Sequence, residues 1–267
     1  MRTVCVIGLG QIGGSLAWAL SEKKNRVIGI SRRKETVEKA EKMGIISKGF
    51  TEITKEALKE SDIVILSTHL GLYSEILKKI RGFEGVVSDV GSVKSKFAKI
   101  CEKYRFRFAG AHPIAGTEKS GLESANPQMF ENKICIISGW SDETSKRIIS
   151  QIWKDVGSKV IYLEPDEHDE LLAFLSHLPH AIAFSVVQAS FKARMKNKEV
   201  MGGSFKDITR VVASPAEMWA DIFAENSKFV SKSISRFISE IKKIQKLIMS
   251  KDREKILRYI LESKEKI

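Results

Sequence analysis

The segment of residues 110 to 121, GAHPIAGTEKSG, places a histidine among residues that favour a rigid loop over regular packing. His112 precedes Pro113, and a proline biases the residue before it towards extended geometry. Imidazole titrates near neutral pH, so a histidine held in such a loop can take a proton from a hydroxyl group. Most histidines in soluble proteins have no catalytic role. The role of His112 as a proton acceptor therefore depends on what else lies near it.

A glycine-rich motif near the start indicates a nucleotide site. GLGQIG, residues 8 to 13, has the G-x-G-x-x-G spacing, follows the strand pattern TVCVI and opens the helical pattern GGSLAWAL. In this context Gly8 permits a tight turn, Gly10 lets the backbone approach a pyrophosphate, and Gly13 lets the helix pack closely on the sheet. The helix N-terminus then faces the anion. The motif predicts dinucleotide binding rather than a plain strand–helix turn.

The end of the second strand pattern, RVIGI, bears on the choice of cofactor. NAD sites normally place an acid there to bind the ribose 2′-hydroxyl. This chain has Ser31, Arg32 and Arg33 instead, and the next acid is Glu35. Arginine offers paired, charge-assisted donors to phosphate oxygens, so the sequence predicts NADP as the preferred cofactor. NAD is the second choice, and the two arginines have an alternative use as ordinary surface charges.

A third motif, SDVGSVKS at residues 88 to 95, follows the strand pattern GVV and leads into a helix. Ser92 is therefore expected at the carboxyl edge of the sheet, where open α/β folds bind their ligands. A helix N-cap is the other common use of a serine in this position, and the two roles are compatible. His112 ends the next strand pattern, so the two side chains are expected at the same edge.

The order of the elements predicts two domains. Residues 1–163 alternate short apolar strand patterns with helical patterns, which indicates a Rossmann-like, doubly wound α/β sheet that is mostly parallel. Residues 164–267 are almost entirely helical in period and form a predicted all-α substrate and dimerisation domain. The apolar helix positions of this half can form its own core or a homodimer interface, and we favour the interface. These positions include Phe223, Phe229, Phe237, Ile241, Ile244 and Leu247.

Composition narrows the class of protein. A hydrophobic content of 43% and a charged content of 29% are typical of a soluble globular protein. The longest apolar runs, such as VIGLG and IVILS, are far shorter than the about 20 residues that span a bilayer, so no membrane partner is expected. The net charge of +12 is spread along helical segments without a nucleic-acid-binding motif. A basic surface that attracts small anions is therefore favoured over nucleic-acid binding.

The cysteines and the N-terminus bear on location. Cys5, Cys101 and Cys135 lie far apart without a CxxC pair, which favours free thiols in a reducing compartment over a disulfide or a zinc site. The chain opens directly on a strand pattern, which leaves no room for a signal peptide. We therefore expect a cytoplasmic protein with no metal.

Five segments carry a resemblance to a known family. GLGQIGGS, DVGSVKS, HPIAGTEKSG, SHLPHAIAF and SFKDITRVVAS, in this order, resemble the prephenate/arogenate dehydrogenases of tyrosine biosynthesis. The resemblance runs from residue 1 to beyond residue 220, and the third and fourth segments are specific to this family. It implies NAD(P)-dependent oxidation of the ring hydroxyl of prephenate, loss of the ring carboxylate as carbon dioxide, and formation of 4-hydroxyphenylpyruvate.

The resemblance also implies roles for single residues. His112 matches the histidine that accepts the proton of the ring hydroxyl, and Ser92 matches the serine that links this histidine, the hydroxyl and the nicotinamide. Arg210 matches the arginine that binds a substrate carboxylate. The implied pocket residues are His180, His177, Thr117 and Glu118. The cofactor-binding set is Gly8, Gly10, Gln11, Ile12, Gly13, Ser31, Arg32, Arg33, Thr68 and Ser92.

The choice of substrate depends on the second histidine of HLPH. This chain keeps His180, which suits the keto-acid side chain of prephenate, and the alternative is an arogenate dehydrogenase that forms tyrosine directly. Two positions depart from the family pattern: His69 replaces a proline in STHLGLY, and Ser204 replaces a glycine in GGSFKDITR. Many relatives carry a fused chorismate mutase or an ACT domain, and we expect neither within residues 1–267.

Two further functions fit parts of the sequence. A β-hydroxyacid dehydrogenase or an imine reductase shares the two-domain plan, but its sheet-edge loop lacks HPIAGTEKSG. A non-catalytic NADP sensor would bind the cofactor without needing Ser92, His112, His180 or Arg210. An enzyme that acts on prephenate accounts for the larger number of these residues.

Overall fold

The computed structural model describes residues 2–117, 119–192, 199 and 201–266. Its eight strands are β1 (Thr3–Ile7), β2 (Arg26–Ile30), β3 (Lys48–Phe50), β4 (Ile63–Leu66), β5 (Val86–Asp89), β6 (Arg107–Pro113), β7 (Ile134–Trp140) and β8 (Lys159–Leu163). They form one sheet in the order β3-β2-β1-β4-β5-β6-β7-β8. Neighbouring strands are parallel except for β6 and β7. The doubly wound fold predicted from the sequence is confirmed.

Six helices cover the two faces of this sheet. They are α1 (Gln11–Glu22), α2 (Lys34–Lys42), α3 (Lys55–Lys59), α4 (Tyr73–Lys79), α5 (Ser95–Tyr104) and α6 (Glu143–Asp155). One buried cluster holds Leu16 of α1 and Trp153 of α6, and the cluster on the other face holds Leu77 of α4 and Phe97 of α5. Because both faces are covered, the central strands are continuous apolar runs rather than alternating ones.

The glycine-rich turn between β1 and α1 fits its surroundings only without side chains. Gly8 has a φ of +106°, and a Cβ there would lie 2.3 Å from the carbonyl oxygen of Ser67. A Cβ on Gly13 would lie 2.0 Å from the oxygen of Gly8. These contacts bring α1 and β4 close together at the point where the strand order reverses, which is where open α/β sheets form a ligand crevice.

The end of β6 is irregular just before the histidine of the opening motif. The pairing of β6 with β7 shifts register between Ala109 and Ala111. Gly110 lies at this shift, and a Cβ on it would meet the oxygen of Ser138 at 2.5 Å. Irregular pairing of this kind bends a strand and changes the direction of the next side chain. It therefore sets the position of His112 at the sheet edge.

The C-terminal part of the chain is helical. Its helices are α7 (Pro165–Leu172), α8 (Leu178–Lys192), α9 (Gly203–Thr209), α10 (Ala216–Glu225), α11 (Ser227–Ser250) and α12 (Arg253–Lys264). A π-helical turn, Ala173–His177, joins α7 to α8 as one rod. Pro179 follows this turn, and a proline lacks the N–H for a helical bond and crowds the carbonyl four residues back. The wider π turn gives the proline ring the room it needs.

Helix α10 attaches the helical part to the sheet. Trp219 and Ile222 are 5% and 2% exposed, and they belong to the same buried cluster as Val87 of β5 and Phe97 of α5. Burial of two large apolar side chains contributes about 3 to 6 kcal/mol to holding the two parts together. The helical domain therefore has a fixed position above the carboxyl edge of the sheet.

Apolar helix surface remains uncovered in a single chain. The segment Pro165–Phe191 is 27 residues long and is apolar enough, by length and composition, to cross a membrane, which the sequence analysis did not expect. Only 22% of its most apolar window is buried within the chain. Helix α11 also exposes Ile238, Ile241 and Ile248, whereas Phe229, one of the predicted interface residues, lies in the domain's own core.

Candidate active site

A cavity of about 450 Å³ opens at the carboxyl edge of the sheet, beneath α10. Ser92, His112 and Thr117, three of the residues selected from the sequence, line this cavity. Met218 and Asp221 of α10 form part of its other wall. The structure therefore brings the motif after β5, the motif after β6 and the helical domain around one space.

A second cleft, of about 730 Å³, continues this cavity towards the end of β2. Thr68, His69 and Arg33 line both spaces, so the two form one groove across the glycine-rich turn. The predicted cofactor residues along the groove are Gly8, Gly10, Gln11, Ile12, Ser31, Arg32, Arg33, Thr68 and Ser92. Gly13 lies under the turn and packs α1 on the sheet. The length and lining of the groove fit a dinucleotide.

The side chain of Gln11 links the glycine-rich turn to the loop after β6. Its side-chain Nε2 donates to Thr117 Oγ1 at 2.6 Å, and its Oε1 accepts from the backbone N–H of Thr117 at 2.9 Å. This pair of bonds fixes the loop after β6 against the first turn of α1. Gln11 was selected for cofactor binding, and the structure gives it this second role.

The adenosine end of the groove contains no acid at the end of β2. Ser31 follows the strand directly, and the exposed side chains of Arg32 and Arg33 line the cleft. Glu52 and Glu75 also line it, and the carboxylate of Glu75 pairs with Lys79 Nζ at 2.7 Å. Arg32, Arg33 and Lys79 outnumber these two acids, so the local charge favours an anionic group at this end.

His112 is buried against the inner side of the cavity, with 9% of its surface exposed. Its Nδ1 lies 2.9 Å from Nε2 of His168 on α7. Burial, and after it the neighbouring His168 and Lys94, lower the pKa of His112 well below its usual value. The ring is therefore neutral at physiological pH and can accept a proton, as a general base must.

A buried ion pair supports the backbone on both sides of this site. Lys94 Nζ lies 2.5 Å from Asp89 Oδ2 and donates to the oxygen of Ala111 at 2.6 Å, and both charged side chains are fully buried. Asp89 also accepts from the backbone N–H groups of Gly91 and Ala111 at 2.9 and 3.2 Å. The pair ties the loop that carries Ser92 to the strand that carries His112, and removal of either partner would leave an unpaired buried charge.

Ser92 lines the cavity but does not cap a helix, and the N-cap role considered from the sequence is wrong. Helix α5 begins three residues later, at Ser95. Its first turn is capped from another domain: Asp169 on α7 accepts from the N–H groups of Lys94 and Ser95 at 2.8 and 2.9 Å. The hydroxyl of Ser92 is therefore available to the cavity.

Three of the remaining predicted residues lie in the helical domain. His180 stacks on Trp219 of α10 at a ring distance of 3.7 Å. His177 is buried, and its Nδ1 lies 3.1 Å from the amide nitrogen of Asn226. Arg210 is exposed in the turn after α9. Among the described residues that line the cavity, these three do not appear. Glu118 lies outside the described residues.

The sequence analysis did not select His168 and Asp169. They lie in PDEHDE, at the start of α7, where an acidic run at a helix N-terminus looks like a solvated surface. Their burial becomes evident only when α7 is placed against α5 and β6. Asp89 and Lys94 were not selected either, although both lie within SDVGSVKS, the segment that carries Ser92.

A doubly wound sheet, a glycine-rich nucleotide turn and a buried histidine where the groove meets a helical domain define a nicotinamide-dependent oxidoreductase. Comparison with known proteins gives the family. The family description "Prephenate dehydrogenase, nucleotide-binding domain" matches residues 16–162, and "Prephenate dehydrogenase, dimerization domain" matches residues 164–262. The chain belongs to the prephenate dehydrogenase family.

Individual relatives agree with this assignment. The chain is 32% identical to the prephenate dehydrogenase of Bacillus subtilis over 98% of its own length and 74% of that protein. It is 27% identical to the cyclohexadienyl dehydrogenase of Zymomonas mobilis, over 98% and 94% of the two chains. The crystal structure of the Aquifex aeolicus prephenate dehydrogenase with hydroxyphenyl propionate and NAD+ superimposes with a TM-score of 0.91 at 36% identity, covering 100% and 97% of the chains.

Proposed function

We propose that this protein oxidises prephenate to 4-hydroxyphenylpyruvate and carbon dioxide, with His112 as the general base. The observation that carries the proposal is the position of a buried, neutral histidine between the nucleotide groove and the helical domain. Ser92 lines the same cavity, so a hydroxyl group of the substrate can contact both side chains. Positioned proton acceptance contributes a rate factor of about 10² to 10⁴.

The bound nicotinamide supplies hydride acceptance, and the rest of the chemistry falls to the chain and the substrate. His112 takes the proton of the ring hydroxyl as the carbon–hydrogen bond of the same carbon breaks. Ser92 orients that hydroxyl, and α10 covers the cavity and excludes water. Loss of the ring carboxylate then makes the ring aromatic, so the protein needs little beyond orientation and one base.

Prephenate is proposed over arogenate because this chain has His180, a donor or acceptor that suits the keto-acid side chain. Its ring stacks on Trp219, and its Nδ1 is bonded to the oxygen of Ser176 at 2.9 Å, which leaves Nε2 for a polar group of the substrate. We assign carboxylate binding to Arg210 and substrate-binding roles to Thr117, Glu118 and His177. Arogenate oxidation is the second candidate, favoured by the similarity to a cyclohexadienyl dehydrogenase.

NADP is proposed as the preferred cofactor, with NAD as the second choice. The exposed guanidinium groups of Arg32 and Arg33 line the adenosine end of the groove, where a 2′-phosphate would lie. Ser31 occupies the place of the acid that would bind a free 2′-hydroxyl and repel a phosphate.

The assembly is proposed to be a cytoplasmic homodimer with a domain boundary between residues 163 and 164. Support comes from the family description of the helical part as a dimerization domain and from the apolar faces of α8 and α11 that a single chain leaves exposed.

Steady-state assays with each pairing of prephenate or arogenate with NADP or NAD test the proposal. Turnover that is fastest with prephenate and NADP supports it. Turnover with arogenate alone would retain His112 but contradict the role of His180. If no pairing supports turnover while NADP still binds, the protein is a cofactor sensor and the proposed function is wrong.

A further inference from the structure

Three side chains form a line from the cavity wall into the interior. His112 Nδ1 lies 2.9 Å from His168 Nε2, and His168 Nδ1 lies 2.8 Å from Asp169 Oδ1. All three are buried, with 9%, 0% and 1% of their surfaces exposed. The line crosses from β6 to α7, so it joins the proposed base to the helical domain.

The inner end of this line is a fixed negative charge. Burial opposes ionisation of Asp169, but the bond from His168 and the N–H groups of Lys94 and Ser95 outweigh it, and the pKa of the carboxyl is lowered. Those two N–H groups belong to the start of α5, where the helix dipole also favours an anion. Asp169 is therefore a carboxylate that can only accept hydrogen bonds.

The hydrogen-bond pattern then determines where each proton lies. Because Asp169 accepts, Nδ1 of His168 carries a hydrogen. Burial lowers the pKa of His168, so its ring is neutral and its Nε2 has a free lone pair. The partner of that lone pair, Nδ1 of His112, must be the donor. A neutral His112 is thus left with an unprotonated Nε2, the atom that can accept a proton from the cavity.

We propose that His168 and Asp169 are positioning residues that fix the tautomer of His112 and stabilise its imidazolium during the reaction. This inference rests on the proposed function, because it assigns how the base of that reaction is prepared. The proton of the substrate hydroxyl moves to Nε2 of His112, and no proton leaves His168. The positive charge that forms on His112 is met by the Nδ1–H···Nε2 bond and, beyond it, by Asp169.

Other charged and titratable groups also face the two histidines. A positive charge on His168, Lys94 or His177 lowers the pKa of His112, whereas Asp89 acts to raise that of His168. Because the ring of His168 is neutral, it acts on His112 as a hydrogen-bond acceptor and not as a cation. Lys94 and Asp89 form the 2.5 Å ion pair and largely offset one another. The thiol of Cys135 on β7 accepts a hydrogen bond from the backbone of His112, and burial raises the pKa of this thiol, which stays neutral. Asp169 is then the negative charge that acts on the line of histidines.

Two substitutions of His168 separate its role as a hydrogen-bond acceptor from the packing of its ring. His168→Phe keeps an aromatic ring but removes the acceptor, and kcat/KM is expected to fall about 100-fold with little change in KM. His168→Gln offers an amide oxygen to His112, so the loss is expected to be about tenfold. The acidic limb of kcat/KM should move to lower pH in His168→Phe, because the imidazolium has lost a stabilising acceptor. The matched control is Tyr162→Phe, which removes a hydroxyl bonded to Ser150, away from the line of histidines, and should keep the wild-type profile.

Nitrogen NMR of the five histidines tests the tautomer without any substrate. Wild type and His168→Gln should show His112 protonated at Nδ1, and His168→Phe should show the Nε2-protonated form. A wild-type His112 protonated at Nε2 overturns the inference. The inference is also overturned if the wild type is active and His168→Phe keeps both the wild-type kcat/KM and the wild-type acidic limb. If the wild type turns over none of the substrates, the proposed function is refuted instead. The NMR result still decides the tautomer in that case.

Discussion

At the scale of residues, the site depends on what each side chain contacts more than on its type. The chain has five histidines, and their surroundings differ. Burial lowers the pKa of His177 to about 4, whereas His180 stacks on an indole ring and His112 lines the cavity. His69 and His112 both line the cavity, and His112 has a ring partner, His168, that contacts its Nδ1 and leaves its Nε2 free.

Arg33 provides a residue-level test of cofactor choice. Arg33→Ala should raise the KM for NADP about tenfold and leave the KM for NAD unchanged, because a charge-assisted bond to the 2′-phosphate is lost. Lys34→Ala is the matched control: it deletes the next positive charge, which pairs with Glu38 at 3.2 Å on the surface. Equal effects of the two substitutions on both cofactors would contradict the assignment and point to net charge alone.

At the scale of elements, a substitution in the glycine-rich turn can separate effects on folding from effects on cofactor binding. A Cβ on Gly10 would meet no atom within 4 Å, and the φ of this residue is −85°, so Gly10→Ala should fold normally. The added methyl group lies where the pyrophosphate approaches the backbone, and cofactor affinity should fall about tenfold or more. Titration calorimetry with NADP, alongside thermal unfolding, checks both points. Gly203→Ala, whose Cβ also meets open space, should change neither. Unchanged affinity in Gly10→Ala would place the cofactor elsewhere.

The sequence predicted elements well where a pattern is repeated along the chain. Helix α6, Glu143–Asp155, is an example, because the Asp142 cap and an apolar period mark it clearly in the sequence. The three-residue strand β3 and the five-residue helix α3 were missed, since neither is long enough to show a period. The π turn between α7 and α8 was missed because it depends on how Pro179 is accommodated in three dimensions.

The residues of the site also divide into those that a local pattern predicted and those that it did not. Ser92, His112 and the glycines follow strand patterns directly, so the rule that ligands bind at carboxyl ends of strands placed them correctly in the groove. The cap of α5 was assigned to the wrong residue because the actual cap, Asp169, lies about 75 residues away in sequence. Contacts between distant segments leave no local pattern, and the partners of His112 belong to this class.

At the scale of the whole molecule, buried neutral histidines make stability depend on pH. Burial lowers the pKa of His112, His168 and His177, so the unfolded chain binds more protons than the folded one in acid. Stability should be full above about pH 6.5 and decline as the pH falls towards 4. For His177 alone the loss between pH 7 and pH 5 is about 2 kcal/mol.

Denaturant unfolding at fixed protein concentration, at pH 7 and pH 5, measures this dependence. His177→Gln should reduce the difference between the two pH values, because the substituted side chain does not titrate. A difference that stays the same in His177→Gln would mean that this histidine is not protonated on unfolding in this range.

The exposed apolar face of α11 gives a test of assembly. Ile241→Glu introduces a charge at a position that is 47% exposed in a single chain, where it would cost little in a monomer. In a homodimer interface the same charge would be buried without a partner, and light scattering should detect monomers at micromolar concentration. Lys243→Glu, on the opposite side of α11, is the control and should leave the dimer intact. A dimer that persists in Ile241→Glu would place the interface on another surface.

The central claim is that His112 accepts a proton during oxidation of prephenate, and the most direct measurement compares cofactor reduction by the wild type and His112→Asn. Asparagine keeps a polar side chain of similar reach but cannot act as a base at neutral pH. The account predicts that kcat falls about 10² to 10⁴-fold while NADP binding, measured by fluorescence, is retained. A variant that binds NADP and oxidises prephenate at the wild-type rate would contradict it.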